Sequence, residues 1–256
     1  MNTIPVKVKK RFTEGLKKYK PVLTRAEKQD FNESDTVTII TDMLADIFGY
    51  DKYDEITSEL AIKKTFCDLA IKHDDIVKLL IEVKSIGTNL KDNHLKQATD
   101  YGANSGIEWV ILTNGAIWKV YRIIFSKPIE HELVYEFNIH DIKASDPEDL
   151  EYLFMLSKES ICKNASTLNE YHSQKQLLNA AMISQILLCD DVTNAIKRVL
   201  KKISADTKVN NEEIVTLLKN EVIKRDALED ERLAEYKRKV NKATKKTPKV
   251  EKTKDS

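Results

Sequence analysis

The sequence predicts an α/β core with a central mixed β-sheet flanked by helices, followed by an all-helical C-terminal region. Three observations carry this expectation. The chain has 256 residues, 41% hydrophobic and 32% charged, which is enough for one large domain, or for one domain plus a helical appendage. Six glycines and five prolines are too few for collagen, a propeller or a turn-dense sandwich. Short β-type runs cluster between residues 55 and 139, whereas every segment after Asp146-Pro147 has a helical pattern.

Taken in order, residues 1–30 read as a basic helix over 6–19, a break at Pro21 and a polar linker to Asp30. Phe31, Val37, Ile40, Met43, Leu44 and Ile47 recur at helical spacing, and Gly49 ends that helix. The runs EITSELAI (55–62), TFCDLAIK (65–72) and IVKLLIEVK (76–84) are strands, with His73-Asp74-Asp75 as a hairpin turn. A helix follows over about 92–104. IEWVILT and AIWKVYRIIF then pair across Asn114-Gly115, a strong short hairpin signal, and HELVYEFNI (131–139) adds a last strand. The domain boundary is expected near 145, which makes 31–145 the core domain and 146–240 the helical region. Residues 241–256, rich in lysine, are expected to be disordered.

Composition excludes several functions. The glycines, at 15, 49, 87, 102, 106 and 115, allow neither GxxxxGK(S/T) nor GxGxxG, so no ATP site of either kind can be written. Cys67, Cys162 and Cys189 form no CxxC and there is no HExxH, which gives a zinc site little support and leaves the thiols free. The longest apolar run, 180–189, falls far short of the ~20 residues a bilayer needs, and no signal peptide follows Met1, so the expected compartment is the cytoplasm with no membrane partner. The net charge of +1 hides an asymmetry. Residues 1–20 hold seven Lys/Arg against Glu14, residues 237–256 hold nine against Glu251 and Asp255, and the middle holds 26 basic against 38 acidic residues. Basic ends of this kind can be solvated tails, or they can hold a polyanion near carboxylates that need cations.

The chemistry centres on Glu82-Val83-Lys84, directly after a nearly continuous apolar strand. Alternation places Glu82 and Lys84 on one face, and burying both charges is costly without an ion or ligand. A hairpin would set Asp68 beside Glu82, and two adjacent carboxylates repel until a hard divalent cation joins them, which makes Mg²⁺, or Mn²⁺, the expected cofactor. Lys84 could orient the attacking water and steady charge on a phosphoryl oxygen. The pattern (D/E)xK also occurs at Asp141-Ile142-Lys143 and Glu235-Tyr236-Lys237, so the triplet alone is weak. Its setting adds weight: a helix with Glu33, a strand with Asp68, the strand ending in Lys84, then a helix carrying Gln97 and Tyr101 four residues apart.

That series, with NES (32–34), FGYDKYDEITSE, CDLAI, LLIEVKSIG, QATDY and WVILTNGAIWKVYRI, resembles the nuclease domain at the N-terminus of type I restriction enzyme R subunits, of the PD-(D/E)xK superfamily, over about Phe31 to Ile124. The resemblance implies a restriction-endonuclease-like fold. It also implies metal-binding roles for Asp68, Glu82 and the helix-borne Glu33, a catalytic role for Lys84, and a QxxxY element in Gln97 and Tyr101. Metal-dependent cleavage of DNA to leave a 5′-phosphate, in restriction or anti-phage defence, would follow. R subunits continue into an ATP-driven translocase, whereas this sequence has no Walker A loop and is expected to act without one. Cys67 stands where the motif's proline would precede Asp68.

Two other readings compete with the nuclease: a non-catalytic DNA-binding or assembly module on the same fold, and a helical scaffold with basic ends. Trp109 and Trp118 read as core residues, and His73 and His94 as surface residues. The 177–188 stripe reads as bundle packing. One centre cuts one strand at a time, so a homodimer is expected through the helical region, whose apolar positions include Leu177, Leu178, Ala181, Val199, Leu217 and Leu218.

Overall fold

The computed structural model describes residues 4–62, 65–163, 166–206 and 208–244. The chain divides into two compact units, Met1–Glu170 and Tyr171–Ser256.

The first unit is built on a six-stranded sheet in the order β1 (Ile56–Ile62), β2 (Thr65–His73), β3 (Ile76–Val83), β4 (Trp109–Thr113), β5 (Ile117–Ile124), β6 (Glu130–Asn138). Two antiparallel meanders, β1–β3 and β4–β6, meet at the parallel β3–β4 pair, so the sheet is mixed. Their junction needs a crossover, which α3 (Lys96–Ser105) supplies. The β2–β3 turn is made by Asp74 and Asp75, both at positive φ (50° and 60°), a conformation whose twist suits a tight hairpin. At the β4–β5 turn Gly115 takes φ 88°, and Asn114 Oδ1 accepts the Ile117 N–H at 2.8 Å.

One sheet face packs on α3: Ala70, Leu80, Val110, Leu112, Tyr121 and Ile123 meet Leu95, Ala98 and Tyr101. Trp118, next to Ile117 of the α3-side cluster, faces the other side of the sheet and meets Phe48, which follows α2 (Glu33–Asp46), at 5.1 Å between ring centroids; α1 (Val6–Lys28) precedes α2. Trp109 and Trp118 are core residues, as expected.

Helix α1 corrects the reading of residues 1–30. It runs without interruption through Pro21, because Val8, Phe12, Leu16, Tyr19, Leu23 and Ala26 form one buried stripe on both sides of the proline. Burial of that stripe outweighs the roughly 3 kcal/mol that an interior proline costs a helix. Several of its basic residues are also engaged within the fold. Arg11 donates to the Ile47 and Phe48 carbonyls and forks onto Glu159, Lys18 pairs with Asp46 at 2.6 Å, and Lys20 caps the His140 and Ile142 carbonyls. Gly49, at φ 85°, is required here twice over, since a Cβ would strike the Arg11 guanidinium.

The boundary expected near 145 falls instead after Glu170. Helices α4 (Pro147–Met155) and α5 (Lys158–Ile161) belong to the first unit, tied by Arg11–Glu159, by Lys158–Glu55 at 2.8 Å and by the Tyr50 hydroxyl on the Leu156 carbonyl. Those partners are far apart in sequence, so helical periodicity could not reveal them. The second unit holds α7 (Ala180–Leu187), α8 (Asp190–Ile203), α9 (Asn211–Leu217), α10 (Arg225–Leu228) and α11 (Leu233–Thr244), while the division itself falls within α6 (Ser166–Leu177). Ala181 and Met182 pack on Tyr236 and Val240. The 177–188 stripe is not packed as expected: Leu177, Leu178, Ile183 and Ile186 are exposed. Residues 241–244, expected to be disordered, close α11, and the remainder of that expected tail lies outside the described residues. Among the described residues, no helix is long and apolar enough to cross a membrane.

Candidate active site

The β2–β3 register builds the site. Ala70 pairs with Leu80 on the face covered by α3, and Asp68 and Glu82 lie two residues further along each strand in the same direction. Period-two alternation puts Glu82 on that face, at the carboxyl end of β3 in the parallel pair β3–β4, and the Asp68 carboxylate reaches the same end of β3. This is where ligands bind in open α/β sheets. Asp68 Oδ2 accepts the Val83 N–H at 2.7 Å, and the Lys84 N–H continues the ladder to Thr113 O at 2.8 Å.

Lys84 Nζ lies 2.9 Å from Glu82 Oε1 and 3.4 Å from Glu33 Oε2. Glu33 reaches it from the first turn of α2, where Asn32 caps the helix by accepting the Asp35 N–H at 2.9 Å. Three hydrogen bonds hold the rim. The Ile86 N–H donates to Phe31 O, and the Asn114 amide donates to the Ile86 and Thr88 carbonyls.

Glu82 is 5% exposed, and its Oε2 has no hydrogen-bond partner among the described residues. Burial raises its pKa, the Lys84 hydrogen bond opposes that shift, and the charges of Asp68 and Glu33 reinforce it. For Lys84, burial acts downward but is outweighed by Glu82, Glu33 and Asp68, so its pKa is raised and the ammonium stays charged. An orphaned buried carboxylate oxygen within the field of two further acids has the chemistry of a site for a hard cation, so the residues present fit Mg²⁺.

Beside Glu82 and Lys84 runs an open groove of about 410 Å³, lined also by Asn93, His94, Lys96, Gln97 and Asp100. Gln97 is thus brought to the site. Tyr101 is not: it is 2% exposed and packs in the core with Cys67, Ala98 and Leu80, and burial raises its pKa. The four-residue spacing placed the two on one helical face, but α3 borders the groove through Lys96, Gln97 and Asp100, and Tyr101, the next residue round the helix, turns into the core. Asn93 and Lys96 escaped the sequence reading because nothing in their spacing marks them, and His94, read as a surface residue, borders the groove. The Tyr121 hydroxyl, donating to Asp92 at 2.9 Å, helps to hold their turn in place.

The fold and the paired acids with an adjacent lysine define a mixed-sheet α/β protein with an acidic, cation-compatible centre. Residues 39–134 match the family model of the type I restriction enzyme R protein N terminus. The match spans β1 to β5 and includes Asp68, Glu82, Lys84, Gln97 and Tyr101, whereas Glu33 lies just before it. No curated protein matches the chain, and no solved structure does.

Proposed function

We propose that the chain is a metal-dependent deoxyribonuclease that hydrolyses DNA phosphodiester bonds in prokaryotic restriction or anti-phage defence. The observation that carries this reading is the buried, orphaned Glu82 Oε2, on a carboxyl that feels the charge of Asp68 and stands beside Lys84. Asp68 and Glu82, with Glu33 at the rim, would hold Mg²⁺ or Mn²⁺, which when bound supplies Lewis-acid polarisation of the scissile phosphate. Lys84 remains protonated, so it donates hydrogen bonds to the attacking water and to the phosphoryl oxygens and does not take up the proton. Lys96, His94 and Gln97, along an open groove, suit an extended phosphate backbone better than an enclosed small molecule. Tyr101 braces the strand beneath. Similarity to a restriction-enzyme N-terminal segment supports the same class of reaction, with a 5′-phosphate as the expected product.

Purified full chain incubated with supercoiled plasmid, linear duplex and single-stranded DNA tests this. Cleavage that requires Mg²⁺ or Mn²⁺ supports it, and no metal-dependent cleavage of any of the three contradicts it.

The partner proposed beyond DNA is a second copy of the chain. A single centre cuts one strand, and within the second unit Leu177, Leu178, Val199, Ile203 and Leu217 are all more than half exposed. Ala181 and Leu218, from the same expected set, are buried.

A further inference from the structure

Glu55, His73 and Cys162 form a second cluster of metal-ligating side chains, outside the Asp68/Glu82 site. Glu55 stands just before β1, His73 ends β2 and Cys162 caps α5. One carboxylate oxygen, one ring nitrogen and the sulfur lie within 4.8 Å of one another. Nothing in the sequence showed this, because positions 55, 73 and 162 share no motif spacing.

The surroundings fix each side chain. Glu55 Oε2 accepts the Asp51 N–H and the Lys158 ammonium, both at 2.8 Å, which leaves Oε1 facing His73 Nδ1 at 3.7 Å. The other ring nitrogen, Nε2, stands 3.6 Å from Asp74 Oδ2. The Lys72 N–H donates to Glu55 O, and the Cys162 N–H to Lys158 O, so the backbones are pinned as well. A gap of 3.7 Å is too long for a hydrogen bond but near the ~3.3 Å that separates two ligand atoms on a tetrahedral ion with bonds of ~2.0 Å. A carboxylate behind the far nitrogen of a histidine, and hydrogen bonds behind a ligating carboxylate, are the outer supports that metal sites use.

We propose that Glu55, His73 and Cys162 bind a divalent transition ion of the Zn²⁺ class, clipping the start of β1 and the end of β2 to helix α5. A carboxylate, an imidazole and a thiolate form a mixed O/N/S set that Zn²⁺ accepts and Mg²⁺ does not, with water in the fourth position. Without a cation, burial and then the charge of Glu55 raise the thiol's pKa. Coordination reverses this, and the thiol proton passes to solvent. This site is independent of the proposed nuclease centre.

The test uses full-length protein stripped of metal with a chelator and titrated with Co²⁺ as a spectroscopic stand-in for Zn²⁺. One equivalent should produce a near-ultraviolet sulfur-to-cobalt charge-transfer band that Zn²⁺ displaces and excess Mg²⁺ does not. Cys162→Ser should abolish the band and Cys189→Ser should retain it. Asp74→Asn should weaken Co²⁺ binding by about ten- to a hundredfold. Melting without metal shows whether each variant folds, and only wild type and Cys189→Ser should gain a full upward Tm shift with Zn²⁺. A wild-type protein with no band, or a folded Cys162→Ser protein that keeps it, overturns the proposal and leaves an ion-pair network only.

Discussion

Asp68 accepts the backbone N–H of Val83 at 2.7 Å, so the carboxylate proposed to hold a cation also fastens β2 to the end of β3. One oxygen of Asp68 serves the fold, and its negative charge bears on Glu82.

These two roles separate by substitution. Asp68→Asn keeps an oxygen for the Val83 N–H and loses the charge, so it should melt within about 1 kcal/mol of wild type while Mn²⁺ binding falls by at least about tenfold. Asp68→Ala also strands a buried N–H and should cost a further 1–3 kcal/mol or so. Calorimetric Mn²⁺ titration and thermal melting of both variants check this.

The Arg11–Glu159 fork, at 2.7 and 2.8 Å, joins α1 to α5 and gives stability a defined pH dependence. Burial acts to raise the Glu159 pKa, but the Arg11 hydrogen bonds outweigh it and hold the group below its ordinary 4.5. A carboxylate lowered on folding stabilises the native state above its unfolded value, and that contribution is lost as pH falls through the folded value. Wild type should therefore lose stability below about pH 4.5 more steeply than Glu159→Gln, and the variant should be about 1–2 kcal/mol less stable at neutral pH. Denaturant melts from pH 7 to 3 measure both.

Much of the architecture was legible in the sequence. The nearly continuous apolar run of β3 and the Asn114-Gly115 turn are local signals, and each marks the element it belongs to. That a hairpin brings Asp68 to the end of β3 was legible for the same reason, and the Asp68 carboxylate there accepts the Val83 N–H. What escaped depends on distant partners. Pro21 reads as a helix breaker until the buried stripe around Leu23 and Ala26 is known, and α4 and α5 read as the start of a helical region until Glu159 meets Arg11. Tyr101 read as a site residue because spacing gives a face, whereas only packing tells which part of that face is covered.

Basic residues beyond Thr244 offer a test of the polyanion reading, since those in α1 are partly engaged within the fold. Truncation after Thr244 removes Lys245, Lys246, Lys249, Lys252 and Lys254 and spares α11. Binding to random-sequence duplex should weaken uniformly, and the slope of log affinity against log salt should become shallower by up to about 4. An unchanged slope would show that these lysines do not meet phosphate.

Self-association has an equally direct reading. If Leu177, Leu178 and Val199 lie at a dimer interface, light scattering should give twice the chain mass at micromolar concentration, and Val199→Lys should return it to a monomer with unchanged helicity. A monomeric wild type across that range would remove the dimer.

Cleavage under single-turnover conditions, with saturating Mg²⁺ and excess enzyme, most directly tests the roles assigned to Glu82 and Lys84. Glu82→Gln should fall to background, and Lys84→Ala should lose about 10²- to 10³-fold in rate with its Mg²⁺ dependence little changed. Equal rates for wild type, Glu82→Gln and Lys84→Ala would contradict the assignment and leave a non-catalytic DNA-binding or assembly module on the same fold.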